Sequence, residues 1–376
     1  MRSKPDNEEG GILTRLGVQA RLRQISETTD ISVMTGVELA KYSGVDYFKE
    51  DSRESFFLEG RANRQFQRYG LNLRTSFNRQ DTLRYFRIIE PVTFVEALPE
   101  ADSEDYLPEE LAVEDDLITT VHTDAGSSQQ LVQRNRFSVQ PSFSYSIDPR
   151  TSVQLNYGFY DMSYSDVPPN SYLQDSQSHI VGFGIQRATS PRNHVSLKLS
   201  RSRFEPEFNL DSDSTNVQIS WQRRLSERTS LTLSAGARKT ETDIYDDTGG
   251  LFSGRLNHQL PSGSMFFLME RGLTGSGYGS EMESDRLSIG YSNKLSDRVS
   301  WKISARAFRA TRISGVQRDS GREFVQISPS IQWAFSKNWQ VRVSYRYTRI
   351  DREWIQGLSY SNSVSLSMEY VPSRRP

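Results

Sequence analysis

Ile12-Leu13-Thr14-Arg15-Leu16-Gly17-Val18-Gln19-Ala20-Arg21-Leu22 is the stretch that decides the fold. Ile12, Thr14, Leu16, Val18, Ala20 and Leu22 share one parity, while Arg15, Gly17, Gln19 and Arg21 share the other. A period of two is the mark of a strand with one apolar and one polar face. The same alternation returns along the chain. Leu71, Leu73, Thr75 and Phe77 interleave with Asn72, Arg74, Ser76 and Asn78, and Val153, Leu155, Tyr157 and Phe159 with Gln154, Asn156 and Gly158. Val217, Ile219 and Trp221 interleave with Gln218, Ser220 and Gln222, and Val341, Val343, Tyr345 and Tyr347 with Arg342, Ser344 and Arg346. No segment has a helical period, and the pattern predicts about 17 strands.

The connections sort by length. Short turns are expected near 25–30, 67–70, 148–151, 189–193, 226–229, 261–263, 296–298 and 336–338. Long connections are expected near 43–52, 81–131, 165–176, 205–213, 241–248, 274–284, 311–321 and 350–361, one after each short turn. Asp148-Pro149-Arg150, Ser190-Pro191-Arg192-Asn193 and Pro261-Ser262-Gly263 supply turn chemistry through fixed φ or tolerance of the left-handed region. Alternating short and long connections are the habit of outer-membrane barrels, with short periplasmic turns and longer outer loops.

Composition agrees. The 376 residues carry 46 Lys+Arg against 47 Asp+Glu, a net charge of −1, so no global field draws the chain to nucleic acid. The absence of Cys removes disulfides, thiolate metal sites and cysteine nucleophiles. Only 35% of residues are hydrophobic and the mean hydropathy is −0.63, yet 11% are aromatic, which argues against disorder. No apolar run approaches the roughly 18 residues of a spanning helix. A transmembrane β-barrel has this profile because only alternate residues meet lipid.

The polar face carries Arg15, Arg21, Arg74, Lys198, Arg238, Lys302, Arg306, Arg342 and Arg346 among Ser, Asn and Gln. A dry core would need a partner for each charge, whereas a water-filled lumen would not. These nine are the candidate lumen-lining cations, offering planar donors to carboxylates or pairing with carboxylates of the wall and loops. Trp221 and Trp333 precede short turns, and Trp301 and Trp339 follow them, so all four are expected at one end of the strands as an interfacial girdle.

The connection at 81–131 is a long acidic extracellular loop. Between Ile88 and Gln133 there are twelve Asp/Glu and no Lys/Arg, centred on Glu100, Asp102, Glu104, Asp105, Glu109, Glu110, Glu114, Asp115 and Asp116. It either folds inward against the basic wall, binds a hard divalent cation, or stays solvated. Catalysis finds no footing. His122, His179, His194 and His258 fall at different levels of the strands, so neither a shared metal site nor a nucleophile-base pair is expected. Gly275-Ser276-Gly277-Tyr278-Gly279 lacks the strand-to-helix setting of a phosphate cradle. No catalytic residue, cofactor or resident metal is expected.

The start, Met1-Arg2-Ser3-Lys4-Pro5-Asp6-Asn7, has no apolar stretch after its basic residues and is no signal peptide. The first and last strands both descend from the long-connection side. An even strand number is usual, so one further ascending strand and a signal peptide are expected ahead of Met1, giving about 18 strands.

Leu225-Ser226-Glu227-Arg228-Thr229-Ser230-Leu231-Thr232-Leu233-Ser234-Ala235-Gly236 and Leu295-Ser296-Asp297-Arg298-Val299-Ser300-Trp301 resemble hairpins of the outer-membrane β-barrel porins found with exopolysaccharide systems, the EpsL-like and PEP-CTERM-associated barrel proteins. Lys4-Pro5-Asp6-Asn7-Glu8-Glu9-Gly10-Gly11-Ile12-Leu13-Thr14 is similar to the region those proteins have after their signal peptide and first strand. The resemblance implies an outer-membrane location and a role in exporting or securing a secreted polysaccharide. The expectation is therefore an all-β, transmembrane, antiparallel up-and-down β-barrel over residues 1–376. It would be a non-enzymatic pore, with an anionic polysaccharide as permeant and with outer-membrane lipid, lipopolysaccharide and exopolysaccharide export machinery as partners. The rivals are a plugged structural or adhesive barrel and a soluble all-β protein.

Overall fold

The computed structural model describes residues 12–43, 52–82, 132–167, 173–244, 246–275, 279–313, 322–352 and 358–370. They form an antiparallel up-and-down β-barrel wall of 17 strands. In chain order these are β1 (Ile12–Ile25), β2 (Thr29–Ser43), β3 (Ser52–Gln65), β4 (Tyr69–Thr82), β5 (Val132–Asp148), β6 (Thr151–Ser165), β7 (Ser176–Ser190), β8 (Asn193–Pro206) and β9 (Ser212–Ser226). Then follow β10 (Thr229–Glu241), β11 (Asp246–Leu260), β12 (Gly263–Gly275), β13 (Glu281–Lys294), β14 (Val299–Arg312), β15 (Arg322–Ala334), β16 (Trp339–Arg352) and β17 (Leu358–Tyr370).

Each strand pairs with its sequence neighbours, from β1 with β2 to β16 with β17. Among the described residues β1 and β17 do not pair with each other, and their apolar side chains stand open: Leu22 is 75% exposed and Val364 75%. With 17 strands in strict alternation, these two edges run in the same direction.

The registers settle the two faces. Val18 lies opposite Val37, Leu155 opposite Phe143 and Phe183, Ile219 opposite Leu197 and Ala235, and Val343 opposite Ile331 and Leu366. One continuous outer face is thus aliphatic. It is also solvent-open, as at Ile219, Val181 and Leu197. The inner face carries the Ser, Asn, Gln and charged positions.

The short turns share a device. The backbone N–H of Arg150 donates to Asp148 Oδ1 at 2.7 Å, and those of Arg192, Arg228, Arg298 and Asn338 donate to Ser190, Ser226, Ser296 and Ser336 Oγ, each at 3.3 Å. A side-chain oxygen accepting from the backbone two residues on closes a turn without a further strand partner. Pro141 and Pro329 stand inside β5 and β15. Each pairs on one side, with Leu73 and Ile303, while the ladder is interrupted on the other. A missing N–H costs one ladder bond, and the adjoining pairs carry the register across it.

Several long connections are shorter than the sequence indicates. The wall continues to Pro206, resumes at Ser212, and continues again to Glu241 and from Asp246. Beyond the apolar band the strands alternate polar with polar, so the hydrophobic period ends there while the hydrogen-bond ladder does not.

The two edges left without a neighbour among the described residues give a direct prediction. In hydrogen-exchange mass spectrometry, amides of β1 and β17 exchange roughly tenfold or more faster than those of β6 to β10, which have neighbours on both sides. Equal protection of β1 and β7 would contradict the open seam.

Candidate functional site

The register puts all nine sequence-identified cations on the inner face. Their environments divide them. Arg15 reaches Glu38 at 3.6 Å, and Arg74 meets Glu59 at 3.3 Å, with Arg61 on the same carboxylate at 2.9 Å. Arg21 lies opposite Met34, two residues before Arg23, which bonds Asp30 at 3.0 Å. Arg15, Arg23, Arg61 and Arg74 on the inner face of β1–β4 therefore each lie beside a carboxylate.

Lys198 and Arg238 are buried rather than bathed in solvent. The Arg238 side chain is 1% exposed and holds Asp247 at 2.7 Å and Glu283 at 2.8 Å. This corrects the expectation that every basic position faces open water. The cause is local: carboxylates from β11 and β13 converge on one guanidinium.

The inner face of β14–β17 is different. Lys302 lies opposite Ser292 and Ser330, Arg306 opposite Ser288 and Gln326, Arg342 opposite Gln332 and Arg346 opposite Ser363. Arg342 donates to Gln332 Oε1 at 2.9 Å. Among the inner positions of these four strands the single carboxylate is Glu369, which accepts from Gln340 at 2.6 Å. The strip is thus cationic and rich in hydroxyl and amide groups. Ion pairs on the neighbouring strand stay within themselves, as Arg286 with Glu270 at 2.7 Å. Such a surface offers charge-assisted and neutral hydrogen bonds to an extended, oxygen-rich anion.

Part of the inner face is apolar, which the sequence reading did not pick out. Val132, Tyr160, Met162, Ile180 and Phe204 have inward register positions near the long-connection end of β5–β8 and are buried. The signal was present: Ile180 falls in the polar parity of a strand whose apolar parity is Val181, Phe183 and Ile185. A bulky aliphatic on the wet face means that something covers it.

The outer face carries two aromatic belts. At the short-turn end Phe66 stacks on Tyr69 with ring centroids 4.2 Å apart, Tyr291 lies 5.1 Å from Trp301, Trp333 5.7 Å from Phe335, and Trp339 4.9 Å from Tyr370. Trp221 shares this level, opposite Val195 and Leu233. Toward the other end come Phe56 with Phe77 at 6.0 Å, Phe137 with Phe159 at 6.3 Å, and Tyr347 with Tyr360 at 6.4 Å. Tyr69 and Phe77, like Trp339 and Tyr347, stand at the two levels on one strand. That separation is about 26 Å along the strand at about 3.3 Å per residue, and roughly 20 Å along the barrel axis for a tilt near 40°. Beyond the second belt the outer face turns to ion pairs: Arg203 with Asp211 at 3.0 Å, Arg271 with Asp285 at 2.6 Å, and Arg309 with Glu323 at 3.3 Å.

The histidines stay apart. The Tyr157 hydroxyl and His179 Nδ1 lie 2.9 Å apart on the outer face, Thr229 and His258 pair at 2.8 Å near a short turn, and His194 lies inward beside Gln186. No group of three or more metal-ligating side chains exists among the described residues. His122 and the acidic residues Glu100 to Asp116 lie outside the described residues.

No family profile matches the chain, and no curated protein is significantly similar to it. Solved structures with a related arrangement include the FrpB iron transporter from Neisseria meningitidis, with 7% identity, a TM-score of 0.47 and coverage of 91% of this chain and 61% of that one. The ferric citrate transporter FecA has 10% identity, a TM-score of 0.44 and coverage of 99% and 65%. The ferric-catecholate import receptor Fiu from E. coli K12 has 9% identity, a TM-score of 0.46 and coverage of 98% and 75%. The chain spans less than two thirds of the length of the first two. At these TM-scores no assignment rests on the likeness, and what each protein transports is a property of that protein.

The division of the cations is testable by denaturant titration of refolded protein. Arg238→Ala removes two charge-assisted contacts from a buried guanidinium site whose carboxylates keep some solvent, and should lower stability by roughly 2–3 kcal/mol. Arg306→Ala should change it by less than about 0.5 kcal/mol. Equal losses at the two positions would refute the division.

Proposed function

We propose that this chain is an outer-membrane β-barrel that passes an anionic polymer along the inner face of β14–β17. The observation that carries the reading is the pair of aromatic belts enclosing an open aliphatic band on one face, with a Ser-, Gln- and Arg-rich surface on the other. The belts stand roughly 20 Å apart along the axis, comparable to the apolar band about 25 Å tall that a bilayer imposes on a barrel between its aromatic girdles. In water the same band would be a large uncovered apolar surface.

Permeant chemistry follows from charge segregation. Lys302, Arg306, Arg342 and Arg346 share their strip with one carboxylate, so an acidic polysaccharide would meet many separate, exchangeable contacts. Passage needs contacts strong enough for entry and weak enough for exit. The hairpins resembling exopolysaccharide-associated barrels support an acidic exopolysaccharide as cargo, with outer-membrane lipid, lipopolysaccharide and export machinery as partners. The reading assigns no catalytic step to the chain.

A second reading, a plugged barrel with a structural or adhesive role, is favoured by the packed inner face at Tyr160, Met162, Ile180 and Phe204. Planar-bilayer recording separates the two. A pore shows anion-preferring steps, and Arg306→Glu with Arg346→Glu shifts the reversal potential toward cation preference. Folded protein without any steps supports the plugged barrel. The membrane assignment has its own test. In lipid vesicles Val217→Arg, four residues from the Trp221 level and midway between the belts, should cost roughly 2–4 kcal/mol, while Gln218→Arg, one residue away on the inner face, costs far less. Equal effects would remove the bilayer from the account.

A further inference from the structure

One stretch of the wall departs from the simple rule of faces. β10 pairs with β11 as far as Glu241 and Asp246, and β12 pairs with β13 as far as Gly275 and Glu281. Between β11 and β12 the pairing stops at Phe252 and Arg271. The sheet therefore splits, and Asp246–Leu251 part company with the end of β12.

Side-chain parity shows where the freed end of β12–β13 goes. Leu273, Glu281 and Glu283 belong to the outer parity, in line with Met269, Leu287 and Ile289. Outer residues at this height on β8 and β14 are open, as at Arg203 and Arg309, whose side chains are 53% and 60% exposed. Here Leu273 is 5% exposed and Glu281 4%. Their partners are inner-face residues of other strands. Glu281 Oε2 accepts from Ser214 at 3.0 Å and from Ser212 at 3.2 Å, both inward on β9. Glu283 accepts from Arg238, inward on β10, at 2.8 Å. The outer face of one segment can touch the inner face of another only if it lies inside the wall. The freed end therefore sits within the bore. Asn209 Nδ2 also donates to the Gly279 carbonyl at 3.2 Å, while the start of β13 stays paired with β14, Met282 opposite Arg312, so the inturned edge remains continuous with the wall on that side. Gly279 has φ +68°, and a Cβ there would fall 2.3 Å from the Gln174 amide carbon, so only glycine fits this seat without displacing Gln174.

We propose that the start of β13, Gly279 to Ser284, together with Leu273 of β12, is an internal stopper of the bore and that Arg238 is its latch, released by a polyanion. The inference rests on the pore reading above and adds its regulation. Arg238 is held by two carboxylates on different elements, Asp247 on the wall and Glu283 on the stopper. Both carboxylates keep contact with solvent, so a polymer rich in carboxylate or sulfate can take the place of Glu283 on the guanidinium. Exchange of one carboxylate for another conserves the charge-assisted bonds, and the stopper loses its anchor. The Lys302–Arg346 strip lies on the strands after β13, where a polymer would already be bound.

The test uses full-length protein folded in detergent and placed in planar bilayers. The chain has no Cys, so Ser214→Cys with Glu281→Cys provides a unique thiol pair. A short bis-methanethiosulfonate reagent bridges it and a reductant releases it. Efficient bridging is expected, with conductance near zero in the bridged form and at least threefold higher after reduction. In unbridged wild type, added polygalacturonate should raise the open fraction severalfold, and Arg238→Ala should be open without it. Failure of the folded pair to bridge overturns the stopper's position. Equal conductance before and after reduction, with the Arg306→Glu selectivity shift intact, overturns the stopper and leaves the pore reading standing. Folded protein that never conducts, in wild type, reduced pair or Arg238→Ala, removes the pore reading and the stopper with it.

Discussion

The backbone ladder is the constraint on which everything else rests. Outside the split between β11 and β12, each internal strand gives both edges to its neighbours, so its N–H and C=O groups are satisfied whatever solvent lies on either face. That freedom allows hydrocarbon on one side and a charged, hydroxylated surface on the other. It also explains why so little of the molecule is a conventional core: buried apolar residues such as Tyr160, Ile180 and Met282 are local patches near one end of the wall. Among the described residues the same constraint leaves β1 and β17 as the two edges without a neighbour, and both run the same way.

Charge on the inner face is organised by neighbourhood. On β1–β4, acid and base alternate across adjacent strands, and pairs such as Arg74 with Glu59 tie the wall together. Around β9–β13, carboxylates arrive from a segment that has left the plane of the sheet, and Arg238 is enclosed. On β14–β17, carboxylates are nearly missing, and the cations face amides and hydroxyls. One residue type therefore plays three parts, set by what the register places opposite it. Exposed pairs contribute little to stability, so those on β1–β4 set local geometry more than they hold the fold.

The alternation at 12–22 and its echoes made the strand count and the sorting of residues into faces legible from the sequence alone. Period two survives any uncertainty in strand ends, because parity does not depend on where a strand begins. The ends themselves were less legible. Past the apolar band, residues such as Arg203, Asp211 and Asp213 are polar on both parities, and only the ladder shows that the strands continue. By the same parity the nine cations fall on one face of the sheet. Their pairing was not legible, since Glu283 meets Arg238 across three strands through a split in the sheet. Local periodicity carries no information about such a contact.

That split has a visible cause in composition. Gly249 and Gly250 stand on β11 just past its last pair with β12, and Gly272 and Gly275 lie on the departing strand beyond the same point. Glycine offers no side chain to pack across a strand pair and lets the backbone bend sharply, so a cluster of four weakens the pairing where the strands diverge. The gain is on the inside. Once β12–β13 turns inward, Leu273 and Met282 leave water, and Glu281 and Glu283 find hydroxyl and guanidinium partners. A wall that lost its small residues here would keep its ladder intact and have no segment to spare for the bore.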